Sequence, residues 1–276
     1  MGDPFATEYE VSKQKDELGD RMKAYEKASS PPALSGQLPI YVRIDGRSFS
    51  KFTKGMQRPF DPRMTEAMIK TTEDLVRETK ARIGYTQSDE ISLVLLDYSV
   101  LSEPFFGGKL QKLCSVLASV ATASFAKHIR DWEPYSEKYA TFDCRVVQLP
   151  TRDETANMML WRNQDAIKNS VSMACRSIAS HKQMDHKDQK QMHEMIKEAG
   201  VNFDHYPEAF RTGTFVRRTV EQRALTLDEW NRVPPKHRPP LDSLVTRTSI
   251  SRISCPPLHS VKNRVEFIFN GARPVT

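Results

Sequence analysis

Arg43-Ile44-Asp45-Gly46-Arg47-Ser48-Phe49 and Tyr85-Thr86-Gln87-Ser88-Asp89-Glu90-Ile91-Ser92 decide how this chain is read. The first stretch closes a short apolar run from Pro39 with an acid and a glycine. The second belongs to two β-prone runs joined by Thr-Gln-Ser-Asp-Glu. Between them, Pro62 to Lys80 carries apolar residues at Met64, Ala67, Met68, Leu75 and Val76, the spacing of an amphipathic helix. The predicted order is strand, helix, strand, turn, strand. Asp45 then ends the first strand, and Asp89 lies in or beside the hairpin turn. If the strands are neighbours, two carboxylates converge. Convergent carboxylates suit a hard cation such as Mg²⁺, which prefers oxygen ligands and keeps waters for substrate phosphates. Two such ions about 4 Å apart clamp the attacking and leaving oxygens of a nucleotidyl transfer. A lone aspartate in such a place is usually a turn residue; the pairing of two argues against that reading.

The rest of the chain sets bounds. Its 276 residues are 38% hydrophobic and 28% charged, enough for a sizeable core in one or two closely packed domains. No apolar run reaches the ~20 residues that span a bilayer, and the N-terminus has no signal-like apolar region. Cys114, Cys144, Cys175 and Cys255 lie far apart without metal-ligand spacing, so reduced thiols and a cytoplasmic location are expected. The net charge of +6 fits a nucleic-acid partner without requiring one.

Residues 8 to 29 read as a charged helix with Leu18, Met22 and Tyr25 on one face, followed by a breaker-rich linker. Asp61-Pro62 is a good helix start. Residues 107 to 130 read as a helix with an apolar stripe at Leu110, Leu113, Cys114, Leu117, Ala121 and Phe125. Lys109 and Lys112 near its start are not favoured by the helix dipole, a placement that makes sense if they face phosphates; a solvated helix face is the other reading. Phe142 to Pro150 reads as a strand and Thr155 to Ala179 as a helix. His181, His186 and His193 lack the companions of a metal motif and read as a solvated helix. A strand is expected at 210–220, and a short one at Arg264–Asn270. The Pro-rich tail after about 220 is the least legible part.

The two opening stretches resemble the signature segments of the tRNA-His guanylyltransferase superfamily, the 3′-to-5′ polymerases. The resemblance continues through Asp143-Cys-Arg-Val-Val, Trp161-Arg-Asn-Gln-Asp and Phe210-Arg-Thr-Gly-Thr-Phe-Val, in the family's order. It implies an α/β (α+β) fold with a polymerase-palm-like antiparallel sheet flanked by helices and a helical C-terminal region. The expected division is a palm-like core with an N-terminal helix over 1–150, and a helical and strand part over 151–276 packed on it as one unit. The implied activity is metal-dependent, template-directed addition of G or other nucleotides from NTPs to the 5′ end of tRNA. Two Mg²⁺ ions, ATP or GTP as activating and incoming nucleotides, a homotetramer and no membrane partner are implied with it.

By the same resemblance Asp45, Asp89 and Glu90 are the catalytic acids, and Asp45, the Gly46 carbonyl and Asp89 the metal ligands. Glu90 is expected on the opposite strand face from Asp89, as a supporting or metal-adjacent acid, with a structural role as the alternative. Gly46, Arg47, Ser48, Phe49, Ser50, Arg58, Asp61 and Ser88 fall in nucleotide-binding segments, successive amides there forming an anion-binding concavity. Lys51 is a further phosphate candidate, and Lys109 and Lys112 match positions that meet the activating nucleotide. Arg145, Arg162, Asp165 and Asn169 match positions near the active site or the RNA. Each charged residue taken singly is otherwise a surface ion pair of small worth.

The sequence departs from the eukaryotic tRNA-His pattern at several points. Ile167 stands where those enzymes have the His tied to anticodon recognition, and Ser50 also replaces a His. Arg58-Pro-Phe-Asp takes the place of Lys-Pro-Asn-Asp, where arginine offers a planar bidentate donor. The chain therefore looks more like the branch that repairs truncated tRNA 5′ ends. Two alternatives are a palm-type nucleotide cyclase, marked by product formation without RNA, and a non-catalytic RNA-binding relative, against which the intact acids speak.

Overall fold

In the computed structural model, which describes residues 17–96 and 104–276, six strands form one antiparallel sheet in the order β4-β1-β3-β2-β5-β6. They are β1 (Ile40–Gly46), β2 (Ile83–Gln87), β3 (Glu90–Leu95), β4 (Phe142–Gln148), β5 (Thr214–Arg223) and β6 (Val245–Ile253). The longer helices are α1 (Glu17–Ala28), α2 (Pro62–Thr79), α3 (Leu110–Ile129), α4 (Arg152–Arg176) and α5 (Gln189–Glu198).

Alternation along β1 divides the sheet into two faces, because successive side chains point to opposite sides. Ile40, Val42 and Ile44, with their partners Leu95, Leu93 and Ile91, pack under α2 and α3. Tyr41, Arg43 and Asp45 face the other way, with Val94, Ser92 and Glu90 opposite them. On that second face Tyr41, Tyr85, Val94 and Phe215 pack with Ala156, Met159 and Ala166 of α4 and with Leu258, Val261 and Phe267 of the C-terminal segment.

Local signals fix the helix ends. Asp61 caps α2 by accepting from the Arg63 amide at 3.0 Å, with Pro62 following it. Lys80 ends that helix in the left-handed region at φ 56°. Thr151 caps α4 through the Glu154 amide at 3.1 Å. Asn163, buried on α4, donates to Thr212 O and Tyr85 Oη and accepts from the Leu258 amide, tying helix, sheet and C-terminal segment together. Cys114 and Cys144, distant in sequence, come into hydrogen-bonding contact between α3 and β4, and burial pushes the Cys144 thiol up.

Two features differ from expectation. The strand expected at Arg264–Asn270 is a helical turn over Glu266–Asn270, with Phe267, Ile268 and Phe269 all buried. A short run apolar on every side suits a buried turn as well as a strand. Arg217 of β5 holds this turn by donating to the Phe267 and Gly271 carbonyls. β6 was not anticipated, because it alternates poorly and follows a Pro-rich stretch. Strands β5 and β6 lie beyond residue 150 yet complete the sheet that begins with β1, so one sheet runs through both segments. Of the helix read over 8–29, Glu17–Ala28 is described and helical; residues 8–16 lie outside the described residues. Leu18, Met22 and Tyr25 on α1 are all exposed.

Candidate active site

A two-residue turn, Ser88-Asp89, joins β2 to β3. Ser88 sits at φ 55°, a left-handed conformation uncommon outside glycine. The Asp89 carbonyl accepts from the Gly46 amide at 3.0 Å, which docks the turn onto the end of β1. Asp45 and Asp89 converge in consequence, as the strand order predicts. The Asp89 carboxylate accepts from Ser88 Oγ at 3.1 Å. Burial pushes Asp89 above the ordinary carboxylate range, and the charge of Asp45 adds to this. Asp45 is raised by burial and by Asp143, its register partner on β4. Neither Asp45 nor Asp89 pairs with a basic side chain among the described ion pairs.

Gly46 is required by close approach. A Cβ there would lie 2.4 Å from the Phe49 ring. That ring cannot yield, since it is buried against Phe52, Phe125 and Phe142 at centroid distances of 5.1, 5.6 and 4.9 Å. Phe49 is thus a core side chain.

Glu90 shares a sheet face with Asp45, its register partner. The expectation that it would point away fails because Asp89 belongs to the turn, where strand alternation does not apply. Arg162 of α4 grips Glu90 with two bonds, Nε at 2.7 Å and Nη2 at 2.5 Å, and reaches Asp165 at 2.9 Å. Burial raises Glu90 while Arg162 opposes the rise. Asn169 donates to Asp165 at 3.4 Å. Glu90 is therefore neutralised, whereas Asp45 and Asp89 are left as the free pair.

Two cavities meet at the turn. One, of about 280 Å³, is lined by Ser50, Arg58, Phe60, Asp61, Ser88 and Asp89, among others. The other, of about 300 Å³, is lined by Asp45, Asp89, Glu90, Arg162, Asn169 and Arg176, among others. Gln87, Ser88, Asp89, Met173 and Arg176 belong to both. Asp61 is occupied as the α2 cap and by a bidentate pair with Arg63 at 3.0 and 2.7 Å, which hold it below the ordinary range. Arg47 and Ser48 line neither cavity.

Lys109 and Lys112 are not brought to the carboxylates. They follow Gly108, whose carbonyl accepts from Leu34, at the Ile40 end of the sheet. Five residues of β1 separate that end from Asp45, roughly 17 Å at the usual strand rise. Lys112 instead lies 5.1 Å from the Phe106 ring. Arg145 pairs with Asp143 at 3.6 Å on β4, beside the site. Arg176 was missed. It ends α4 facing both cavities, with no hydrogen bond or ion pair recorded among the described residues. Its only sequence signal was a cation fourteen residues after Arg162, too general to single it out.

An antiparallel palm-like sheet presenting two unpaired aspartates at a strand end, beside open cavities, defines a nucleotidyltransferase. The sequence profile described as tRNAHis guanylyltransferase (Thg1) matches residues 19–150. The chain is 28% identical over 209 residues to the tRNA(His) guanylyltransferase of Neurospora crassa, covering 69% of this chain and 70% of that protein. It resembles a bacterial Thg1-like protein solved with ATP, at 39% identity and a TM-score of 0.69, covering 72% of this chain and 88% of that one. A bacterial Thg1-like protein solved with GTP matches at 32% identity and a TM-score of 0.67, covering 92% and 98%. The chain belongs to the tRNAHis guanylyltransferase family. No helix among its described residues is long and apolar enough to cross a membrane.

Proposed function

We propose that this protein is a metal-dependent 3′-to-5′ nucleotidyltransferase that restores truncated tRNA 5′ ends by templated addition from nucleoside triphosphates. The observation that carries the reading is the convergence of Asp45 and Asp89, unpaired, where two cavities join. Two cavities suit a reaction that accommodates an incoming nucleotide and an activated 5′ phosphate together. The ATP and GTP complexes of the bacterial relatives support nucleotide occupancy there.

The donor set fits Mg²⁺. Burial raises both carboxylates, the charge of Asp143 adds to the rise of Asp45 and that of Asp45 to the rise of Asp89, and no cationic side chain among the described residues is bonded to either, so the half-buried site holds excess negative charge. All the available donors are oxygen, the hard ligands Mg²⁺ prefers. Asp45, Asp89 and the Gly46 carbonyl would hold it, and two ions are expected. A bound cation supplies charge neutralisation for the attacking 3′-hydroxyl and for the departing pyrophosphate. The chain's own contribution is placement. Arg58 and Arg176 meet triphosphate oxygens, and Ser88 fixes the Asp89 carboxylate. The Arg162–Glu90 pair holds α4 against the palm, so that the 3′-hydroxyl lies in line with the RNA 5′ phosphate. Assembly as a homotetramer and action in the cytoplasm belong to the same reading.

The test is extension of labelled tRNA with Mg²⁺ and NTPs, using tRNA-His and a different tRNA lacking its first nucleotide. Wild type is expected to add the templated base to the truncated tRNA, and Asp45→Ala and Asp89→Ala are expected to lose it. G addition restricted to tRNA-His would overturn the repair assignment, and no extension of either RNA would overturn the whole reading.

A further inference from the structure

The sheet face that carries Asp45 is open towards β4. Asp143, Arg145 and Val147 of that edge strand are exposed. Beside this opening stands Trp161 of α4, an indole 51% exposed. Aromatic side chains of this size normally bury most of their area. Arg162 lies over the ring at 4.5 Å, pinned by Glu90 and Asp165. Arg43 lies on the ring at 6.0 Å, the outer limit of a cation–π contact.

Arg43 makes no hydrogen bond or ion pair among the described residues, so none has to break for it to shift, although it lies in the field of Asp45 and Glu90. Its register partner on β4 is Arg145. On the same face, two residues further along β1, is Asp45, about 7 Å away at the usual strand rise. An exposed indole, a movable guanidinium and a second arginine therefore line up one strand step from the reacting carboxylates. Aromatic rings and guanidinium planes interleaved with basic groups form the usual platform for unpaired bases. A stacked base needs two spacings of about 3.4 Å between its neighbours. Arg43 has only to retreat by roughly an ångström from its present 6.0 Å to admit one.

Trp161 lines neither cavity at the turn. An open surface offers no walls to hold a free mononucleotide. It suits a base delivered by a larger molecule anchored elsewhere.

We propose that Trp161 is the stacking platform for the terminal nucleobase of the RNA 5′ end, taken between the indole and Arg43, with Arg145 meeting a backbone phosphate. This rests on the 5′-end transfer reading above. Trp161 is a positioning residue: it sets where the 5′ phosphate lies and takes no part in bond making.

The experiment has two arms. In the first, Trp161→Ala and Trp161→Phe are compared with wild type for extension of truncated tRNA. Trp161→Ala is expected to raise KM for RNA roughly 5- to 150-fold, with KM for NTP unchanged, and Trp161→Phe to keep most of the affinity. In the second, Trp132→Phe/Trp230→Phe leaves Trp161 as the sole indole of the chain's three tryptophans. Its fluorescence is expected to be quenched by a tRNA acceptor minihelix and unaffected by ATP or GTP alone. A wild-type KM for RNA in Trp161→Ala overturns the proposal, as does quenching by mononucleotide alone. If Trp161→Ala fails to fold, Trp161→Phe and the fluorescence arm still decide. Failure of wild type to extend any RNA sinks the transfer reading, whereas absent quenching by the minihelix sinks the platform alone.

Discussion

Arg162→Ala separates the structural from the chemical use of the acids. Arg162 is 9% exposed and holds Glu90 through two bonds, at 2.7 and 2.5 Å. Removing it leaves Glu90 half-buried beside Asp45 without its hydrogen-bonded cation, with only the unbonded charge of Arg43 acting on it. Breaking a buried pair by deleting one partner costs about 3–5 kcal/mol. For a chain of this size each kcal/mol lowers Tm by about 2–4 °C, so a fall of roughly 6–20 °C is expected. Burial already raises Glu90, and loss of the guanidinium raises it further. A carboxylate with a raised folded pKa favours folding below its unfolded pKa, and that contribution is lost as pH rises through the folded value. The penalty of Arg162→Ala should therefore shrink as pH falls from 7 towards the carboxylate range. In a cycle with Glu90→Gln, the double variant should lose less than the sum of the singles. Differential scanning calorimetry across pH measures both. A Tm unchanged within about 2 °C, or strict additivity with Glu90→Gln, would refute the argument that Arg162 exists to neutralise Glu90.

Two further changes probe the neighbouring geometry. Gly46→Ala drives a methyl into the Phe49 ring at 2.4 Å and should cost about 1–3 kcal/mol by overpacking. Phe49→Leu should cost less in the Gly46→Ala background than in wild type, as read by thermal melts of all four proteins. Arg176→Gln should raise KM for NTP by roughly tenfold or more, as expected for a lost charge-assisted bond, and leave Tm within about 2 °C because Arg176 makes no side-chain hydrogen bond or ion pair among the described residues. Steady-state extension kinetics and a melt distinguish this from a structural role.

The sequence foretold some parts of this site and concealed others for physical reasons. The convergence of Asp45 and Asp89 was legible because a short turn between β-prone runs leaves little choice of register, and β1 could be read from the apolar run that the acid and glycine close. Asp61 stands in a helix-start signal, yet its pairing with Arg63 depends on a side-chain conformation that no pattern specifies. The Arg162–Glu90 contact spans 72 positions and follows from where α4 crosses the sheet. The remoteness of Lys109 and Lys112 is likewise a matter of helix direction: α3 runs with its later turns, at Thr122 and Phe125, beside Phe142 and the catalytic end. Phe267 to Phe269 carry no periodicity to distinguish a strand from a buried turn.

Three acids meet at the end of this palm, and their division of labour follows from which of them receives a cation from the fold. Glu90 lies on the face that α4 covers, so a buried arginine reaches it with two bonds. Asp45 and Asp89 lie at the strand end and turn, beyond the reach of that guanidinium's hydrogen bonds, and keep their charge unpaired. The same helix then continues from Arg162 to Arg176, fourteen residues or roughly 21 Å at the α-helical rise. Arg162 secures the structural acid, and Arg176, the last residue of the helix, stands where both cavities meet. One rigid helix thus fixes the distance between the neutralised carboxylate and the free cation. A change that tilts α4, even at Asn163, which itself lines neither cavity, must displace both ends together and alter nucleotide binding as well as stability.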